Sequence, residues 1–135
     1  MTKTYILESI SINRPHAQVF DYVSDRRTLP AWTKAFKQVT PTGAQYETPA
    51  GPVPIGLEVI AERHSGIVDW LMCFPDGTTE KACSRVIAEN AGRTNVQFFF
   101  APPLPPEMLA AGIERFSAVI REELTLLKSI LERPA

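Results

Sequence analysis

The chain has 135 residues, 44% apolar and 21% charged, with a formal net charge of −1. That size and balance describe one soluble domain, 1–135, with enough chain to bury a core. They give no electrostatic ground for nucleic acid or an anionic membrane surface as partner. No apolar run approaches the length of a membrane span, so no integral membrane association is expected.

Residues 3–13 alternate, with Ile6, Glu8, Ile10 and Ile12 on one face, which reads as a half-buried strand. Lys3 and Glu8 also break any secretory-leader pattern there, and a cytoplasmic location is expected. Pro15 suits the first position of a helix, where its missing N–H is no loss. Val19, Phe20 and Val23 form that helix's apolar stripe. Asp25 is placed to cap a second short helix carrying Leu29, Trp32 and Phe36 inward.

A weaker strand is expected over 37–48, followed by strands near 55–64, 66–75, 78–89 and 93–101. Ser65-Gly66 and Asp76-Gly77 are hairpin signals between them. Seven of the twelve prolines fall at 49–54 and 102–106, where loss of a ladder donor marks element boundaries. From 106 to 132, Leu109, Ile113, Phe116, Ile120, Leu124, Leu127 and Leu131 recur at helical spacing. At 1.5 Å per residue this helix spans about 40 Å, enough to cross a sheet. Ser117, Arg121, Lys128 and Glu132 fall on its other side.

Two-residue turns at Ser65-Gly66 and Asp76-Gly77 would set Val59 opposite Met72 and Trp70 opposite Cys83. Both registers then give one inner face with Leu57, Val59, Ala61, Val68, Trp70, Met72, Phe74, Cys83 and Ile87. Arg63, Lys81 and Arg85 would point inward on the same face, with Arg63 and Arg85 about 9–10 Å apart across Val68. A buried Arg needs a partner, from a ligand anion or from Glu8, unless its head reaches solvent at the sheet rim. Cys73 and Cys83 would lie on opposite faces and could not bridge. Glu58, Glu62, His64, Asp69, Glu80 and Ser84 would point outward, leaving His64 without a catalytic role.

The stretch Ile12…Pro15…Val19-Phe20…Val23…Asp25…Leu29-Pro30…Trp32, with the strand meander and closing helix, resembles the START-like superfamily. The group is also called SRPBCC, polyketide cyclase/dehydrase or Bet v 1-like. The resemblance covers the whole chain and is closest in size to small bacterial members. It implies an α+β helix-grip fold: a curved antiparallel sheet of about six strands wrapped on a long C-terminal helix. Two short helices between strands 1 and 2 would close one end. Members of this family bind lipids, sterols, polyketides, plant hormones or quinones. Some are cyclases, dehydratases or oxygenase subunits, and others are chaperone activators. No iron-ligand set of the oxygenase branch is present, and Thr40–Gln45 lacks the glycine-rich loop of the plant allergen branch.

The expected function is binding of a small hydrophobic or amphipathic molecule, anionic if the arginines reach inside, as carrier or sensor. Its pocket would use Trp32, Val59, Ala61, Arg63, Val68, Trp70, Met72, Cys83, Arg85, Phe98, Phe100, Ile113, Phe116 and Ile120. The alternative is a cyclase, dehydratase or isomerase, for which Glu8 and Arg85, with Arg63 and Tyr22, are the candidate groups. A second alternative is a chaperone-activator-like interaction module or homodimer using Ile60, Ile67, Leu71 and Cys73 on the outer face. Two cysteines and two histidines, dispersed along the chain, offer no metal-ligand spacing. No metal and no cofactor are expected.

Overall fold

The structure is a computed structural model that describes residues 6–48, 50–89, 93–100 and 106–134; the side chains of 95–100, 106–111 and 113 lie outside that description. Strand β1 (Ile6–Ile12) leads to helix α1 (His16–Val23), a 3-10 turn (Arg26–Thr28) and helix α2 (Leu29–Trp32). Six strands follow: β2 (Phe36–Val39), β3 (Gly43–Thr48), β4 (Gly51–Glu62), β5 (Ile67–Cys73), β6 (Thr79–Ala88) and β7 (Thr94–Phe100). Helix α3 (Pro106–Leu131) closes the chain. The sheet is antiparallel with seven strands in the order β1-β7-β6-β5-β4-β3-β2. This is the expected α+β helix-grip architecture, with one strand more than expected.

The extra strand comes from a turn at 40–42 that divides the expected 37–48 segment. The Thr40 N–H donates to Gly43 O at 2.9 Å and the Gly43 N–H to Thr40 Oγ1 at 3.0 Å. Pro15 stands at the N-cap of α1, one place before its expected position. The Asp25 carboxylate accepts from the Arg27 N–H at 3.0 Å, as a cap should.

Both central hairpins differ from the two-residue turns expected. The β4–β5 connection uses four residues, Arg63 to Gly66, so Val59 faces Trp70. That shift is even and leaves every side chain of β4 and β5 on its expected face. The β5–β6 connection uses three, Pro75-Asp76-Gly77, with Gly77 at φ +89° and the Phe74 N–H bonded to Thr78 O at 2.9 Å. This is a type I turn followed by a left-handed bulge residue. Its odd shift sets Trp70 opposite Ala82 and Asp69 opposite Cys83. All of β6 is thereby inverted: Glu80, Ala82, Ser84 and Val86 face inward, while Lys81, Cys83, Arg85 and Ile87 face outward.

The closed end of the interior is well filled. Ile12, Val19, Val23, Val68, Val86, Leu124 and Leu127 are all buried there. Two polar groups in this region are satisfied by backbone: Ser84 Oγ donates to Val68 O at 2.7 Å and Thr94 Oγ1 to Arg14 O at 2.9 Å. Part of the polar side of α3 packs against β1. Lys128 Nζ donates to Ser11 O at 2.7 Å, and Glu132 accepts from the Asn13 N–H at 2.8 Å.

Candidate functional site

At the other end, helix and sheet separate around a cavity of about 340 Å³. Its floor is Trp70 and Met72 of β5, Ala82 of β6, Tyr46 of β3 and Phe36 of β2. The small Ala82 sits directly across from Trp70, which leaves open space beside the indole. Phe116, Val119 and Ile120 of α3 form the roof, and Leu29, Trp32 and Ala35 the end wall. The two indoles meet edge to face, with centroids 6.2 Å apart. Tyr46 is likewise held edge-on between Phe36 and Phe74, at 5.9 and 5.3 Å.

The polar side of the cavity is formed by Thr33, Lys34, Glu47 and Glu123. Glu123 is one turn beyond Ile120 and two beyond Phe116, so the helix delivers it to the roof beside them. The Lys34 N–H donates to Glu123 Oε2 at 2.7 Å, and the Lys34 ammonium is paired with Glu122. Burial pushes the Glu123 carboxyl above its ordinary value, against the Lys34 amide bond and charge; neighbouring Glu122 pushes the same way. Burial also raises Glu80, on the inner face opposite Met72. The Tyr46 phenol is raised first by burial, then by the Glu80 and Glu123 carboxylates. Thr33 Oγ1 is already committed to Leu29 O at 2.7 Å.

Of the sequence-predicted pocket residues, Trp32, Trp70, Met72, Phe116 and Ile120 line this cavity. Val68 is fully buried in the packed core, Val59 half-buried on the same face, and Ala61 exposed at the strand end. The side chains of Phe98, Phe100 and Ile113 lie outside the described ones.

Arg63, Arg85 and Cys83 require correction. Arg63 belongs to the exposed four-residue turn, where its guanidinium pairs with Asp21 and lies 5.0 Å from the Phe20 ring centroid. Arg85 is exposed on the outer face and donates to Ser65 O at 3.2 Å. Lys81 pairs outward with Asp69 at 3.3 Å. Cys83 lies on the outer face beside Asp69, so Cys73 and Cys83 share a face after all; they stand in different cross-strand pairs and both are free thiols. Glu8 does face inward, yet its partner is Arg121 of α3 at 3.2 Å, with no inward arginine from the sheet. Tyr22 is half-buried near Arg133, away from the cavity. His64 is exposed in the β4–β5 turn.

Sequence reasoning missed Tyr46, Glu80 and Glu123. Glu80 was hidden by the one-residue register error. Glu123 was legible in the helical spacing, three after Ile120 and seven after Phe116. Among the described residues, no three His, Cys, Asp or Glu side chains gather into a metal site, and no helix is long and apolar enough to cross a membrane.

No protein-family model matches the chain, and no curated protein is similar to it in sequence. Solved structures are similar over nearly the full length. A START superfamily protein from Mycobacterium smegmatis shares 13% identity at TM-score 0.64, covering 95% of this chain and 97% of its own. The Zhui aromatase/cyclase from Streptomyces sp. R1128 shares 8% at TM-score 0.64, covering 96% and 92%. The chain has the START-like fold. A third similar structure, the Aha1 dimer from Colwellia psychrerythraea, shares 15% identity at TM-score 0.63, with 96% of each chain covered. The cavity lies where this fold's sheet grips its closing helix.

Proposed function

We propose that this START-like protein binds a small, largely apolar molecule between the sheet and α3, as a carrier or sensor. The observation that carries this reading is the cavity of about 340 Å³ with aromatic and aliphatic walls and a carboxyl at one side. It falls within the range of about 300–1,000 Å³ usual for small-molecule sites. It also equals roughly eleven water volumes at about 30 Å³ each, room for a molecule of about a dozen non-hydrogen atoms. The arginines that suggested an anionic ligand stand outside the cavity, so no anionic group is part of this reading.

Trp32 and Trp70 both line the cavity, so ligand entry is expected to change tryptophan fluorescence. A panel of apolar alcohols, amines, ketones and acids of ten to twelve heavy atoms (about the cavity's capacity) tests the reading. Saturable fluorescence changes with a dose-dependent rise in melting temperature are expected. A flat response across the panel would overturn it.

A second reading rests on Glu123 and Tyr46. A carboxyl raised by burial beside a phenol in an apolar pocket is suited to acid–base chemistry on a bound carbonyl compound. Deuterium exchange at the α-carbon of a bound ketone, lost in Glu123→Gln, is the result that would favour it over simple carriage.

A further inference from the structure

The charge distribution around the cavity points to the ligand's polar end. Two carboxylates, Glu47 and Glu123, line it, and Glu80 stands beside it on the floor's face. The single cation in the described lining, Lys34, is engaged with Glu122. Its backbone N–H already satisfies one oxygen of Glu123. The other oxygen of Glu123 has no hydrogen-bond partner among the described residues. The phenol of Tyr46 is nearby and is kept protonated by burial and by the same carboxylates.

We infer that Glu123 is the polar anchor of the cavity and that the ligand presents a hydrogen-bond donor to it, an amine before a hydroxyl, and excludes anions. The inference rests on the cavity reading above and names the class of molecule it takes. A carboxylate or phosphate group brought to this end would meet two carboxylates with no free cation to offset them, and like charges in a partly desolvated site repel strongly. An ammonium would meet the opposite: a charge-assisted hydrogen bond to Glu123 at the boundary of an apolar chamber. Its apolar body would lie along the Trp70 and Phe116 walls.

The test uses matched sets on two apolar bodies, a decyl chain and a naphthylmethyl group, each carrying an amine, an alcohol or a carboxylate. Binding is read by tryptophan fluorescence and calorimetry at pH 7. The amine is expected to bind at least about tenfold more tightly than the carboxylate of the same body, with the alcohol between. In Glu123→Gln the amine should lose most of that advantage while the alcohol changes little. Gln can still accept from the Lys34 N–H, and an unchanged circular dichroism spectrum would show that the fold is kept. If the carboxylates bind as well as the amines, the inference is overturned while the cavity reading stands. If amine preference persists in Glu123→Gln, the anchor is not Glu123. If no body binds in any form, the cavity reading itself is overturned, and the inference with it.

Discussion

Arg63 ties the β4–β5 turn to α1 through Asp21 and the Phe20 ring, and Arg85 ties β6 to the same turn through Ser65 O. Both are rim contacts in water, where an ion pair or cation–π contact contributes about 1 kcal/mol or less. Replacing either by Met is therefore expected to lower the unfolding free energy by no more than about 1 kcal/mol in urea titrations. Affinity for any ligand of the cavity should stay within about twofold, since neither side chain reaches it. A tenfold loss in Arg85→Met would place an anion site where the geometry shows none. Trp32 is the contrasting residue. Its indole N–H is buried without a hydrogen-bond partner among the described residues. A donor left unsatisfied there costs about 1–3 kcal/mol.

At the scale of elements, two turns decide which side chains meet the cavity. Gly66 has φ +76°, and a Cβ on it would stand 2.1 Å from Val86 O, whose strand is bonded back to Gly66 O. Gly77 has φ +89° but open space around it. Gly77→Ala is expected to cost about 1–2 kcal/mol from backbone strain alone. Gly66→Ala should cost about 1–3 kcal/mol more, because the new methyl must push β6 away. Equal losses in urea unfolding would show that the Gly66 approach to Val86 is not tight. The same turns explain what was legible in the sequence. Strand and helix positions follow from alternation and helical spacing, which depend on residues close in the chain. Faces on β4 and β5 survived a wrong turn length because the error was two residues. Those on β6 did not, because Pro75 extends the Asp76-Gly77 loop to three residues, and one residue inverts a strand. Tyr46 was hidden differently: its place depends on β3 pairing with β2 and β4, and no turn signal set that register.

At the scale of the whole molecule, pH acts on two sets of carboxyls with opposite sign. Glu123 and Glu80 have carboxyls raised by burial, so the folded state holds their protons more tightly than the unfolded chain does. Their contribution to stability is full below the ordinary glutamate value of about 4.3 and is lost as pH rises through their folded values. Glu132 is lowered by the Asn13 N–H first and then by Lys128, where α3 is fastened to the end of β1. Asp25 and Asp76 are lowered chiefly by hydrogen bonds from Arg27 and Thr78. The contribution of these three is present above the ordinary carboxylate range and lost as pH falls through their depressed values. The two sets can be separated by one substitution. Glu123→Gln removes an ionisation that is costly inside the fold, so between pH 4 and 8 the variant should gain on the native protein until Glu123 is ionised in the folded state, and hold that gain beyond that point. Denaturant unfolding at intervals across that range measures the difference. A constant difference would mean that Glu123 titrates as it does in the unfolded chain, and that the cavity's polar side is open to water. A ligand amine should reverse the trend, because its positive charge favours the ionised carboxylate and returns the stability that burial removes.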